Sequence, residues 1–201
     1  MKIYDISQEV LNCAVYPGDP APYQEKLVSM EEGEMYNLSA LYLCNHNGTH
    51  IDAPFHFLKH GKTIDQLKLA ACIGLCYVTE YQGSMTAEDA VRILRQAEKL
   101  NKEAAQRILI KGKAEISLSA AEVFANAHIL LLGNESQSVG PEEAPMAVHQ
   151  KLLGAEVVLL EGIRLFDVPE GIYLLNAAPL NIAGAEGAPC RAVLIDLENK
   201  E

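Results

Sequence analysis

Four side chains able to bind a metal or move a proton fall within eleven residues of this sequence. They are His46, His50, Asp52 and His56, in the segment His46-Asn47-Gly48-Thr49-His50-Ile51-Asp52-Ala53-Pro54-Phe55-His56. Neutral imidazole and carboxylate are ligands for Zn²⁺, Mn²⁺ or Fe²⁺. A straight strand would put all four on one face, because their offsets are even. Its rise would also leave His46 and His50 about 13 Å apart, too far to share an ion. A helix would join His46 to His50 but turn Asp52 about 200° away from His50. Asn47-Gly48-Thr49 is moreover poor helix material, and Pro54 would break a helical hydrogen bond. A bent loop is therefore expected to gather His46, His50 and Asp52, with Gly48 taking the unusual backbone angles of the bend. A lone buried histidine is usually a hydrogen-bonded core residue, but four such groups beside a glycine hinge point to a metal.

Three protein ligands leave an ion with open positions, the catalytic rather than the structural arrangement. His149 lies on a short predicted helix, where periodicity alone makes it core-facing. Glu161 follows Val157-Val158-Leu159-Leu160 at the carboxyl end of a predicted buried strand. Ligands of open α/β sheets collect at such ends, and a carboxylate there needs a partner. His60 sits in a polar turn and is expected to be exposed. His128 opens an apolar run, and a structural role is expected for it.

The elements that must position these groups are strands interleaved with helices. Strand-like runs are Lys2–Ser7, Asn37–Cys44, Cys72–Tyr81, Arg107–Lys111, His128–Gly133, Glu156–Leu160, Gly171–Asn176 and Arg191–Asp196. Asn37–Cys44 alternates poorly, which predicts cover on both faces. Thr86-Ala87-Glu88-Asp89 reads as a capping box opening a helix to about Lys99. Ser119-Ala120-Ala121-Glu122 does the same for a helix ending near Asn126. Pro145–Leu153 has helical spacing, with Gly154 as its expected C′ residue. Residues 133–145 read as a loop whose length hints at function. The pattern predicts an α/β domain with at least part of its sheet covered by helices.

With 201 residues, one domain spanning 1–201 is the expectation, and no linker or repeat interrupts it. A net charge of -11 argues against nucleic acid or an anionic membrane as partner, leaving small molecules or further copies of the chain. No apolar run reaches the roughly 18 residues of a bilayer span. Acidic residues near the amino terminus replace the apolar stretch of a signal peptide, so a cytoplasmic location is expected. Five scattered cysteines without a Cys-x-x-Cys oppose a disulfide framework or a cysteine zinc site. About four of the five are expected to be buried thiols.

The central segment resembles the His-x-Gly-Thr-His-x-Asp-x-Pro-x-His signature of the cyclase-like metal-dependent hydrolases, a family that includes bacterial kynurenine formamidase and isatin hydrolase. Tyr16-Pro17-Gly18-Asp19-Pro20 is similar to that family's amino-terminal Trp-Pro-Gly-Asp stretch. Gly133-Asn134-Glu135-Ser136-Gln137-Ser138 sits where members carry Gly-x-Asp-x-x-Ser. His149-Gln150-Lys151-Leu152-Leu153 with Glu161-Gly162-Ile163-Arg164-Leu165 matches the late His…Glu-Gly-x-x-Leu pattern. Leu174–Leu180 and Gly187–Arg191 also fit, so the resemblance covers nearly the whole chain.

The resemblance implies a swivelling β/β/α fold, with a mixed sheet or barrel core flanked by helices, in a homodimer or homotetramer. It implies that His46, His50 and Asp52 hold one divalent ion, Zn²⁺ or Mn²⁺. Asp52, His149 and Glu161 would hold a second, with His56 as acid/base and an aromatic wall at Tyr16. The implied activity is hydrolysis of N-formyl-L-kynurenine or a related aryl formamide, a step of tryptophan catabolism. The alternatives are another cyclic amide or lactone, or metal binding without catalysis. Tyr16 in place of Trp, and Lys111-Gly112-Lys113-Ala114-Glu115 in place of an aromatic-rich loop, alter pocket walls rather than ligands.

Overall fold

The computed structural model describes residues 1–141 and 144–197. Its strands are β1 (Lys2–Asp5), β2 (Tyr23–Val28), β3 (Leu38–Tyr42), β4 (His50–Asp52), β5 (Ile73–Glu80), β6 (Gly83–Met85), β7 (Arg107–Lys111), β8 (Ala114–Ile116), β9 (Leu131–Asn134), β10 (Val158–Glu161), β11 (Gly171–Asn176), β12 (Gly187–Pro189) and β13 (Val193–Asp196). The helices are a single turn, α1 (Leu69–Cys72), then α2 (Ala87–Leu100), α3 (Leu118–Asn126) and α4 (Pro145–Gly154). Nine strands form one curled mixed sheet in the order β1-β13-β11-β5-β7-β9-β10-β4-β12. The central neighbours β5, β7, β9 and β10 run parallel, and their crossovers carry α2, α3 and α4. Parallel strands need such crossovers, and helices laid on the sheet supply its cover.

Side chains alternate across this sheet with period two. Ile108 and Ile110 of β7 join Ile93, Phe124, Leu152 and Leu159 in the core beneath the helices. Leu109, between them, points the other way, into a second core with Ile51, Val78, Leu131, Leu160 and Leu194. Both faces of the central strands are therefore apolar, which explains their unbroken hydrophobic runs. Thr86 accepts from the Asp89 amide, and Asp89 returns the bond, as the capping box of α2 requires.

Several local expectations are corrected. Asn37–Cys44 is not covered on both faces: β3 pairs with β2 in a separate two-stranded hairpin, and Leu38, Leu41 and Tyr42 are exposed. An apolar run without alternation reads the same whether it is enclosed or projecting. The cap of α3 is Ser117, whose hydroxyl accepts from the Ala120 amide, while Ser119 lies inside the helix. Gly154 is the last helical residue rather than the cap, and Glu156 takes the left-handed angle beyond it. Two cysteines, Cys72 and Cys76, are buried, and Cys13, Cys44 and Cys190 are half-buried free thiols. β9 extends through Asn134 into the expected loop, whose residues 142 and 143 lie outside the described residues. The short strands β2, β4, β6, β8 and β12 carry too few residues, or too little alternation, to announce themselves. No helix among the described residues is long and apolar enough to cross a membrane.

Candidate metal centre

The centre is assembled by the antiparallel pairing of β4 with β10. Its register sets His50 opposite Glu161, Ile51 opposite Leu160 and Asp52 opposite Leu159. Residues directly opposite share a face. Because Leu159 faces the helix-side core and Leu160 the other, His50, Asp52 and Glu161 all project beneath the helices. There α4 delivers His149 from above. The bend expected to gather three ligands therefore has a narrower task. His50 and Asp52 meet by ordinary alternation within β4, and the turn at Gly48 brings in His46.

Each residue of that turn has a positional reason. Gly48 has φ +66. Asn47 Oδ1 accepts from the Cys44 amide at 2.8 Å, and its Nδ2 donates to Pro20 O at 3.2 Å. Thr49 Oγ1 donates to Gly162 O at 2.8 Å and accepts from the Gln8 amide at 2.9 Å. Gln137 Nε2 donates to Gly48 O at 3.2 Å. Gly48→Ala forces a left-handed angle on an L-residue, a cost of about 1–2 kcal/mol. Its methyl would also press on Cys13 Cβ, 3.1 Å away. A lower urea midpoint is expected, together with weaker metal binding in a chelator competition. A wild-type midpoint would show that the turn tolerates a side chain.

The two oxygens of Asp52 face different partners. Oδ1 lies 2.9 Å from His46 Nδ1 and 3.4 Å from His50 Nε2. Oδ2 lies 3.8 Å from His149 Nε2 and 3.9 Å from His56 Nε2. Glu161 spans the gap, with Oε2 3.4 Å from His50 Nε2 and Oε1 3.3 Å from His149 Nε2. Thus His46, His50 and Asp52 form one possible ligand set, and Asp52, His149 and Glu161 another, each with ligand atoms within 4.8 Å. His50, Asp52, His149 and Glu161 are all buried.

Buried polar atoms are ordinarily hydrogen-bonded. Here both Asp52 oxygens and His50 Nε2 have no hydrogen-bond partner among the described residues, although His46 Nδ1 approaches Asp52 Oδ1 to 2.9 Å. Unpartnered nitrogen and oxygen donors gathered in two such sets fit divalent cations, which would satisfy them.

Without metal the cluster is held together by charge. Burial alone would lower His46, but the Asp52 and Glu186 carboxylates outweigh it and raise the imidazole to about 9. Burial likewise opposes, and Glu161 and Asp52 reverse, the shifts of His50 and His149, both raised. Asp52 and Glu161 are lowered by these histidines despite burial. His56 goes down instead: burial lowers it, Asp52 offsets part, and His46 and His149 oppose its charge.

Metal loading must therefore displace protons at neutral pH. A histidine raised above its unfolded value of 6.5 stabilises the metal-free fold fully below that pH and loses this as pH rises through about 9. Zn²⁺ titrations at pH 7 in two buffers of unlike ionisation enthalpy should report proton release, and affinity should climb from pH 6 to 9. Equal heats in both buffers would oppose this.

His56 stands on the short turn Pro54–His56, stacked on His46 with ring centroids 4.1 Å apart. It is more exposed than the buried ligands. Phe57, which the sequence did not single out, stacks on His149 at 4.5 Å. Glu186 was also missed; its Oε1 lies 3.2 Å from His46 Nε2, though 140 residues separate them. No local spacing signals it. Tyr16 is half-buried in a turn closed by the Asp19 amide, near Ala14, whose carbonyl accepts from Gln137. His60 is exposed. His128 is exposed at φ 51, the left-handed angle just past α3, where its amide donates to Ala125 O.

A curled mixed sheet under crossover helices, with two possible His and carboxylate ligand sets beside a part-exposed histidine, is an architecture shared with metal-dependent hydrolases. Residues 4–141 match the Cyclase family model, and the chain belongs to that family. It is 31% identical over 210 residues to the kynurenine formamidase of Erythrobacter litoralis, covering 98% of this chain and 94% of that protein. A solved structure described as a "potential metal-dependent hydrolase with cyclase activity" is 26% identical, with TM-score 0.81 over 98% of this chain and 99% of the other. Isatin hydrolase A of Labrenzia aggregata shares the fold at TM-score 0.77 and 19% identity, over 96% of this chain and 93% of that one.

Proposed function

We propose that this chain is an amidohydrolase of aryl formamides, with N-formyl-L-kynurenine its first substrate to test, yielding an amine and formate. The observation that carries the reading is the pair of ligand sets joined at Asp52, with His56 Nε2 3.9 Å from the same carboxylate. The kynurenine formamidases among its relatives supply the substrate class. A divalent ion in such a site acidifies a water and polarises a carbonyl, generating a nucleophile at neutral pH. Zn²⁺ suits the three imidazoles and two carboxylates, with Mn²⁺ second.

The residues take distinct roles in this reading. His46 and His50 present nitrogens to one side of Asp52, and His149 with Glu161 completes the other. Asp52 and Glu161 remain ionised and balance the cationic charge. His56, lowered below its ordinary value, is neutral at pH 7 and able to accept a proton. It then returns that proton to the departing amine, which leaves poorly as an anion. Tyr16 supplies an aromatic wall for the aryl ring. The chain would act as one domain over 1–201, in the cytoplasm, as a homodimer or homotetramer.

Formate release from N-formylkynurenine, beside isatin and simple lactones, tests this after Zn²⁺ or Mn²⁺ loading. The formamide is expected to be cleaved most efficiently. Preferential ring opening of isatin or a lactone would move the substrate class. Tight metal binding without any hydrolysis would sink catalysis.

A further inference from the structure

The three histidines of the centre are not aimed alike. His50 Nδ1 is anchored on Gly48 O at 3.0 Å, and His149 Nδ1 on Pro145 O at 2.8 Å. Each donates to a carbonyl within four residues and so presents Nε2 to the cluster. His46 is reversed: its Nδ1 faces Asp52 at 2.9 Å, and its Nε2 lies 3.2 Å from Glu186 Oε1. Its orienting partner is thus a carboxylate, and it comes from a distant strand edge.

That edge is built around the ring. β12 pairs with β4 so that Gly187 lies opposite Asp52, and the Ala53 amide donates to Glu186 O at 2.9 Å. A Cβ on Gly187 would lie 2.8 Å from His46 Cε1, so the imidazole rests against bare backbone there. Asn45 Nδ2 donates to the same Glu186 oxygen at 3.2 Å, steadying the carboxylate from the turn that carries His46.

Building on the metal-centre reading, we propose that Glu186 is the positioning residue for His46. Its carboxylate accepts the Nε2 proton, fixes the tautomer with a free Nδ1, and makes that nitrogen a stronger donor to a divalent cation. Outer carboxylates of this kind orient a ligating imidazole and raise its basicity. Gly187 leaves room for the ring to take this pose. Glu186 is part-exposed, so its replacement should leave the core intact.

The test compares full-length wild type with Glu186→Ala and Glu186→Gln, each stripped of metal and titrated with Zn²⁺ against a chromogenic chelator. Visible spectra of the Co²⁺-loaded proteins report ligand geometry. Glu186→Ala is expected to bind Zn²⁺ about 10–100-fold more weakly, with altered Co²⁺ bands, in a metal-free protein that stays folded at the titration temperature. Glu186→Gln, whose amide oxygen can still accept from Nε2, should fall between and serves if the Ala variant folds poorly. Wild-type affinity and spectrum in Glu186→Ala would overturn the proposal, even if KM rose. A wild-type protein that binds neither Zn²⁺ nor Co²⁺ would overturn the metal-centre reading and this one together.

Discussion

His56→Ala is expected to lose turnover by about 10²–10⁴-fold, the range that a positioned proton carrier contributes, while keeping its metal. The separation of effects follows from geometry. His56 is 3.9 Å from Asp52 Oδ2 and belongs to neither ligand set. Its loss unstacks one ring from His46 without removing a donor from the centre. The side chain is also part-exposed, so the cavity left behind opens to solvent and the fold should hold. Elemental analysis together with steady-state kinetics checks both halves. Metal loss in the variant would make His56 a ligand, and unchanged turnover would remove it from the chemistry.

Asp52→Asn should be more severe and of a different kind. The substitution keeps size and shape but removes the charge that both ligand sets share. Metal affinity is expected to fall by more than the roughly 10–100-fold typical of losing an outer partner, with activity disappearing alongside. His149→Ala is the useful contrast, because it deletes a member of one set and leaves His46, His50 and Asp52 whole. With two ions bound, its metal content should drop to about half, whereas Asp52→Asn should lose both. Near-wild-type metal content in Asp52→Asn would show that Asp52 does not join the sets.

A candidate metal cluster was legible in one segment because its information is local. His50 and Asp52 are two residues apart, and Gly48 marks the turn before them. The alternation of apolar residues in the central strands, and the capping box at Thr86, likewise depend on near neighbours. Those signals established the α/β layers, α2 almost to the residue, and three candidate ligands. They also misled where a local pattern has two tertiary outcomes. The run from Asn37 to Cys44 is apolar enough to be enclosed, yet β3 projects in a hairpin. Ser119 has the capping-box spacing to Glu122, yet the cap is Ser117, whose hydroxyl accepts from the Ala120 amide.

The segment His46–His56 by itself pointed to a divalent metal with open positions, and family resemblance added hydrolysis. Family resemblance, not periodicity, raised His149 above an ordinary core histidine, whereas Glu161 stood out already as a carboxylate ending a buried strand, and the resemblance added its role as a ligand. The tertiary structure decided how the centre closes. The β4–β10 register places Glu161 opposite His50. The crossover through α4 lowers His149 onto Asp52, and β12 brings Glu186 to His46 from 140 residues away. Strand register and helix crossover join residues with no sequence periodicity between them, so no local pattern encodes those contacts. They arise when the two apolar cores choose which face of each strand is buried.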